Sequence, residues 1–274
     1  MKKRKRFLFF IIVCASMVIV YSFIKTGDST TIPPKQSAVE EGTVESGGEV
    51  QDVLENADNV ETPAAGDGQA GQTEDGLAVI AQPESITVMV NKQNKLPEDY
   101  NPSDLVYPDV RFIFDEKVEK RMLRKEAAGA IEEMFTAAEN DSIALAGVSA
   151  YRSHTTQKSL FERYVKRDGL VKARTYSAFP GTSEHETGLA IDISGSDGKC
   201  AAADCFAGTK EALWLEEHAH EFGFIIRYLK GKEAITGYQY EPWHLRYVGT
   251  ELAAELKESG ETLEEYYDAV PVSK

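Results

Sequence analysis

Apolar and polar positions along the chain fall into a few readable periods. Val118, Met122, Ala130, Met134 and Ala137 recur at spacings near three to four, or multiples of them, among strong helix formers. That pattern predicts a helix from Asp115 to about Asn140 with this face in the core. Ile143 to Ala150 is short, apolar and uncharged and reads as a buried strand that delivers Tyr151-Arg152-Ser153 at its end. Gln157, Leu160, Phe161, Tyr164 and Val165 form a second helical stripe that stops before Asp168-Gly169. Leu189 to Ile193 alternates as a strand, Lys210 to Phe222 reads as a helix ended by Gly223, and Phe224 to Tyr228 reads as a strand. Tyr238 to Tyr247 completes the strand region, and Ile86 to Val90 reads as a β-rich run opening the folded unit. Helices come first and strands cluster in the C-terminal half. This order favours an α+β domain, a small antiparallel sheet flanked by helices, over a doubly wound sheet.

The two N-terminal segments follow different rules. Residues 2 to 6 are all Lys or Arg, and the uncharged run Phe7 to Ile24 follows. Eighteen residues make a helix of about 27 Å, just enough for a hydrocarbon core of about 30 Å, and the cationic cluster would stay cytoplasmic. The expectation is a single-pass membrane anchor at 1–26 with everything after it extracytoplasmic. The competing reading is a cleaved signal peptide, but the run has no small-residue cleavage pattern, and Cys14 follows the bulky Val13 rather than the small residue that lipoprotein processing needs. From Gly27 to Glu84 thirteen acidic residues face the single Lys35, with low hydrophobicity and no period. Such a stretch cannot bury enough apolar area to offset its ordering entropy, so 27–84 is expected to be a disordered tether and 85–274 the folded domain.

Composition narrows the function. The 274-residue chain is 42% hydrophobic, enough for a real core, and its formal net charge is −15. That balance argues against nucleic acid as a partner, because phosphate binding draws on clustered Lys and Arg. Cys200 and Cys205 lie in the part expected outside the membrane, where a disulfide between them would persist; two free thiols are the other reading.

The chemistry concentrates in two places. Ser183-Glu184-His185-Glu186-Thr187-Gly188-Leu189-Ala190-Ile191-Asp192 carries a His and an Asp, and Glu241-Pro242-Trp243-His244 carries a second His beside a Glu. Two imidazoles and one carboxylate match the three protein ligands of a catalytic zinc, which leave a fourth position open. Asp192 falls on the strand face opposite Leu189, Ile191 and Ile193, and a carboxylate among such neighbours needs a partner. Glu241 would then handle the proton of a hydrolytic reaction. Taken singly each landmark has a plainer reading: a structural His, a strand-end Asp, a solvated Glu. His154, His218 and His220 are read that way.

Taken together, the motifs Ser183-x-His185-x-x-Gly188-x-Ala190-x-Asp192 and Glu241-x-Trp243-His244-x-Arg246-Tyr247-Val248-Gly249 resemble the zinc D-alanyl-D-alanine carboxypeptidases of the VanY type and the related L,D-carboxypeptidases of bacterial walls. With Tyr151-Arg152-Ser153, Gln157 and Leu215 through Tyr228, the similarity spans roughly Val90 to Gly249. The resemblance implies a hedgehog/D,D-peptidase-like fold, Zn2+ held by His185, Asp192 and His244, and Glu241 as general base and later acid. It implies that Arg152, Gln157 and Ser183 hold the substrate, a peptidoglycan stem peptide ending in D-Ala, with Arg152 also serving catalysis, in a protein expected to be a monomer. A guanidinium fork suits the free C-terminal carboxylate that a carboxypeptidase must select. Two rivals stand beside this reading: a hedgehog-like binding module whose zinc is not the source of activity, and a lysostaphin-like endopeptidase. Glu241 speaks against the first, and Arg152 with Gln157 against the second. Whether the cut is D,D or L,D is left open by the sequence.

Overall fold

A computed structural model of the chain describes residues 76–269. The expected anchor and most of the acidic tether lie outside the described residues. Among the described residues no helix is long and apolar enough to cross a membrane.

In chain order the strands are β1 (Ala78–Val79), β2 (Asn94–Lys95), β3 (Leu105–Val106), β4 (Leu123–Arg124), β5 (Leu145–Ser149), β6 (Ala190–Gly195), β7 (Phe224–Ile226) and β8 (His244–Tyr247). The helices are α1 (Lys125–Asn140), α2 (His154–Asp168), α3 (Leu170–Ala173), α4 (Lys210–His218), α5 (Glu233–Thr236), α6 (Thr250–Ser259) and α7 (Leu263–Tyr266). Four strands form the central antiparallel sheet in the order β5-β6-β8-β7, while β1–β2 and β3–β4 make two small pairs. The α+β expectation holds. One face of the sheet enters the main core: Leu189, Ile191, Ile193 and Leu245 are fully buried, packed with Ile131, Met134, Leu215 and Phe224.

Local chemistry sets the ends of the helices that frame the site. Ser153 caps α2 by accepting from the Thr156 N–H, and Gly169 ends it at φ +82°. Thr209 caps α4 in the same way, accepting from the Ala212 N–H. Each cap satisfies a backbone donor that the helix itself leaves open. Gly188, at φ +69°, turns the chain from the His185 segment into β6. A Cβ there would meet Leu105 Cδ2 at 2.8 Å and Arg124 Cγ at 3.0 Å, so both the conformation and the space call for glycine.

Several expected elements differ. The first helix begins at Lys125 rather than Asp115, because Glu119–Arg121 forms a single 3-10 turn and Leu123–Arg124 pairs with β3. The buried stripe of α1 is therefore Ala127, Ala128, Ile131, Met134 and Ala138, and Val118 is exposed. Ile86 to Val90 is not a strand: it opens in a turn closed by the Val88 N–H on the Ser85 carbonyl, and the carbonyls of Ile86 and Val88 accept from the Arg246 guanidinium at 3.0 and 2.8 Å instead of from a neighbouring strand. The last strand is only His244–Tyr247, since Glu241 to His244 forms a turn closed by the His244 N–H on the Glu241 carbonyl. The helix from Lys210 runs as far as His218 and continues as a 3-10 turn through Ala219–Phe222. Cys200 and Cys205 are joined as a disulfide with Cα atoms 5.4 Å apart.

Candidate metal centre

The register of the sheet creates the site. Asp192 on β6 lies directly opposite His244 on β8. Directly opposed residues of an antiparallel pair project to the same face, so the carboxylate and the imidazole meet. His185 arrives from the 3-10 turn Glu184–Thr187, which is tied to the end of β5 by the Arg152 N–H on the His185 carbonyl. The three side chains are 4–8% exposed and offer ligand atoms all within 4.8 Å of one another. His185 Nε2 is 3.5 Å from Asp192 Oδ2, and His244 Nδ1 is 3.1 Å from Asp192 Oδ1.

The partners on the far side of each ring fix which nitrogen is free. His185 Nδ1–H donates to the Ala150 carbonyl at 2.7 Å, which leaves Nε2 facing Asp192. His244 Nε2 meets Glu184 Oε2 at 3.3 Å; as the donor there, it leaves Nδ1 facing Asp192. A carbonyl behind one imidazole and a carboxylate behind the other is the outer arrangement that orients metal-binding histidines. Two imidazole nitrogens and a carboxylate oxygen, converging and buried, fit zinc in type and number.

The electrostatics agree with a cation site. Burial, helped by the positive charges of Arg152 and His244 and opposed by Asp192, pushes the His185 imidazole down to about 3, so the ring is neutral and its Nε2 can offer a lone pair to a cation. Burial opposes charge on His244 as well, yet hydrogen bonds to Asp192 and Glu184 hold it up at about 9. Without a metal, those carboxylates draw a proton onto His244; a divalent cation answers the same field.

Beneath the ligands lies a buried charge network that the sequence reading quoted in part but gave no role. Glu184 is 1% exposed, and its Oε1 accepts from Arg227 Nε at 2.7 Å and Arg246 Nη1 at 2.9 Å. Arg227 also grips both carboxylate oxygens of Glu264, at 2.9 and 2.6 Å. A signal was present: Arg227 and Arg246 interrupt the apolar runs Phe224-Ile225-Ile226 and Leu245-Tyr247, and a charge so placed needs a buried partner, the argument that singled out Asp192.

The ligands open onto a cavity of about 440 Å³ whose lining includes Arg152, Ser183, Tyr238 and Glu241. Glu241 is held by its N–H on the Tyr228 carbonyl, and burial, with the charges of Asp192, Asp204 and Glu184, raises its carboxyl to about 7 against the pull of His244. A carboxyl poised there can both take and return a proton near neutral pH. Arg152 Nη1 donates to Gln157 Oε1 at 2.8 Å and Nη2 to Ser149 Oγ at 3.3 Å. Gln157 is fully buried and its amide also donates to the Ala178 carbonyl, which places it behind the guanidinium rather than at the cavity wall. His154 and His218 pair with Glu186 and Glu221, outside the cluster.

The family model described as VanY, D-alanyl-D-alanine carboxypeptidase, matches residues 120–250. A Bacillus subtilis (strain 168) protein named as a carboxypeptidase, YodJ, is 50% identical over 196 residues, covering 72% of each chain. Among solved structures, the LdcB LD-carboxypeptidase is 48% identical with a TM-score of 0.70, covering 74% of this chain and 94% of its own. A zinc(II)-bound variant of the vancomycin-resistance D,D-pentapeptidase VanY is 32% identical with a TM-score of 0.53, covering 66% of this chain and 98% of its own.

Proposed function

From the premise that the chain belongs to the VanY family of D-alanyl-D-alanine carboxypeptidases, we propose a division of labour among the residues of its site. The protein is a zinc-dependent carboxypeptidase that removes the C-terminal D-alanine from peptidoglycan stem peptides. In our reading His185 Nε2, Asp192 and His244 Nδ1 hold the metal, and the convergence of these atoms in one buried cluster is the observation that carries it. The ion, when bound, supplies Lewis-acid polarisation of the scissile carbonyl and acidifies a water.

The remaining steps belong to the side chains. Arg152 takes the terminal carboxylate, its fork set by Gln157 and Ser149, so the peptide enters C-terminus first. Ser183 lines the same cavity. Glu241 removes a proton from the attacking water and delivers it to the departing D-alanine nitrogen. Glu184 holds the His244 ring and shares its charge with two arginines, so the ring does not turn as charge develops in front of it.

We place the cut at the L,D bond of a tetrapeptide. The support is the degree of likeness, 48% identity to the LD-carboxypeptidase against 32% to the D,D-pentapeptidase. Incubating tetrapeptide and pentapeptide muropeptides with the protein and weighing the products by mass spectrometry is expected to show D-Ala lost mainly from the tetrapeptide. Loss mainly from the pentapeptide would reverse that assignment. The reading also places this domain outside the cell on a membrane tether, as a monomer. The cationic cluster at residues 2 to 6 ahead of an apolar run supports the tether, and the Cys200–Cys205 disulfide supports an oxidising compartment.

A further inference from the structure

Tyr238 is buried to 5% exposure, and its hydroxyl has no hydrogen-bond partner. Among the described residues only one other buried side-chain atom is in this position, His220 Nδ1, whose ring lines an apolar pocket between β7 and α6. Leaving a phenol hydroxyl buried and unmade costs more than a typical hydrogen bond contributes, and such groups in folded proteins have a reason. Tyr238 lines the cavity that holds the metal cluster and Glu241. Its ring is fixed from two directions: Tyr228 packs at 4.6 Å between centroids, and Lys92 Nζ lies 4.2 Å from the ring centre. The same ammonium donates to the carbonyls of Arg174 and Gly237, so the residue just before Tyr238 is held as well. A donor positioned this firmly, given no partner within the chain and itself closed to solvent, gains one only when a bound group reaches it.

The sheet order says which part of the substrate that is. Arg152 follows β5, one edge of the central sheet, whereas Tyr228 follows β7, the opposite edge, and Tyr238 packs on Tyr228; Asp192 and His244 lie on the two strands between. If Arg152 takes the terminal carboxylate, as the proposed function has it, the peptide crosses the metal cluster toward Tyr238 with its acyl part. We propose that Tyr238 is a substrate-binding residue whose hydroxyl donates a hydrogen bond to a carbonyl oxygen of the stem peptide on the N-terminal side of the bond cut. A neutral carbonyl suits this wall better than a second carboxylate. Besides burial, the charges of Glu241 and Glu184 are the main influences that push the Tyr238 phenol up, so the hydroxyl stays a donor and an anion beside it would be repelled.

Tyr238→Phe removes the hydroxyl alone. With the zinc-loaded chain acting on D-Ala-ending tetrapeptide and pentapeptide muropeptides, kcat/KM is expected to fall about tenfold, carried by KM, with kcat within about twofold. Inhibition by free D-Ala, which has no acyl part, should keep its wild-type Ki, and the melting temperature should hold or rise because an unsatisfied polar group is gone. An unchanged KM, or a Ki for D-Ala that rises in step with it, would overturn the proposal. A fall in melting temperature would make the hydroxyl structural and overturn it too. Failure of the wild-type chain to release D-Ala from either muropeptide would instead sink the proposed function, so the two failures are distinguishable.

Discussion

Replacing Glu241 with Gln is expected to lower kcat by at least about a hundredfold while the zinc content stays at the wild-type level. The side chain keeps its size and hydrogen-bonding groups, and what it loses is the ability to accept a proton; general acid–base groups contribute typically ~10²–10⁴-fold. Burial raises this carboxyl to about 7 in the absence of metal, so this depth already disfavours charge and a neutral amide adds no desolvation cost. The fold and the field at the ligands should therefore change little. Substrate affinity should hold as well, since Arg152, to which the proposed function gives the terminal carboxylate, is untouched. Parallel kinetics and metal analysis check the prediction. A variant that turned over normally would mean that another group moves the proton, and one that lost its zinc would make Glu241 a support of the metal site.

The largest effect on stability is expected from Glu184→Gln. Its carboxylate stands between Arg227 and Arg246, all three buried to about 1% or less. Removing one partner from a buried ion pair leaves uncompensated charge and costs roughly 3–5 kcal/mol. For a domain of this size that corresponds to a melting temperature lower by about 6–20 °C. The comparison is best made in chelator, so that zinc linkage does not add to the difference. Burial works against the Glu184 carboxylate, but the two guanidiniums and His244 hold its folded-state pKa far below the ordinary range. A depressed carboxylate pKa stabilises above the unfolded value, about 4.3, and the benefit is lost only as pH falls from there through the folded value. The Glu184 share of the gap between wild type and variant should thus narrow in strong acid, and without metal the gap should also shrink as pH rises from about 6.5 toward 9, because the raised His244 pKa that Glu184 helps to maintain stabilises only below that range. In the zinc-loaded protein, losing the charge behind His244 should also weaken the metal by about 10–100-fold.

The parts of this molecule that were legible in the sequence are those whose chemistry is local. Asp192 alternates with large aliphatics, and its register opposite His244 turned that alternation into a shared site. The strand Ile143 to Ala150 and the helix after Ser153 are legible because an uncharged run marks the first and an apolar stripe ending at Asp168-Gly169 marks the second. The first helix was placed ten residues early: its period could not show that Leu123–Arg124 would pair with Leu105–Val106, a contact made across the chain. Ile86 to Val90 has the composition of a strand, but the partner of its carbonyls is a guanidinium 158 to 160 residues away. Gln157 was read as touching substrate and lies one layer back, behind Arg152, a distinction of depth that residue type does not carry. The unpaired Tyr238 hydroxyl is likewise invisible until packing decides which groups find partners.

The account stands or falls on where the metal is held. The most direct measurement is zinc per chain, by elemental analysis, in the wild type and in a variant carrying His185→Ala and His244→Ala together, each checked for folding by circular dichroism. We expect about one zinc in the wild type and none in the double variant, with D-alanine release lost alongside. A folded double variant that still carried one zinc would contradict the assignment of His185, Asp192 and His244 as the site.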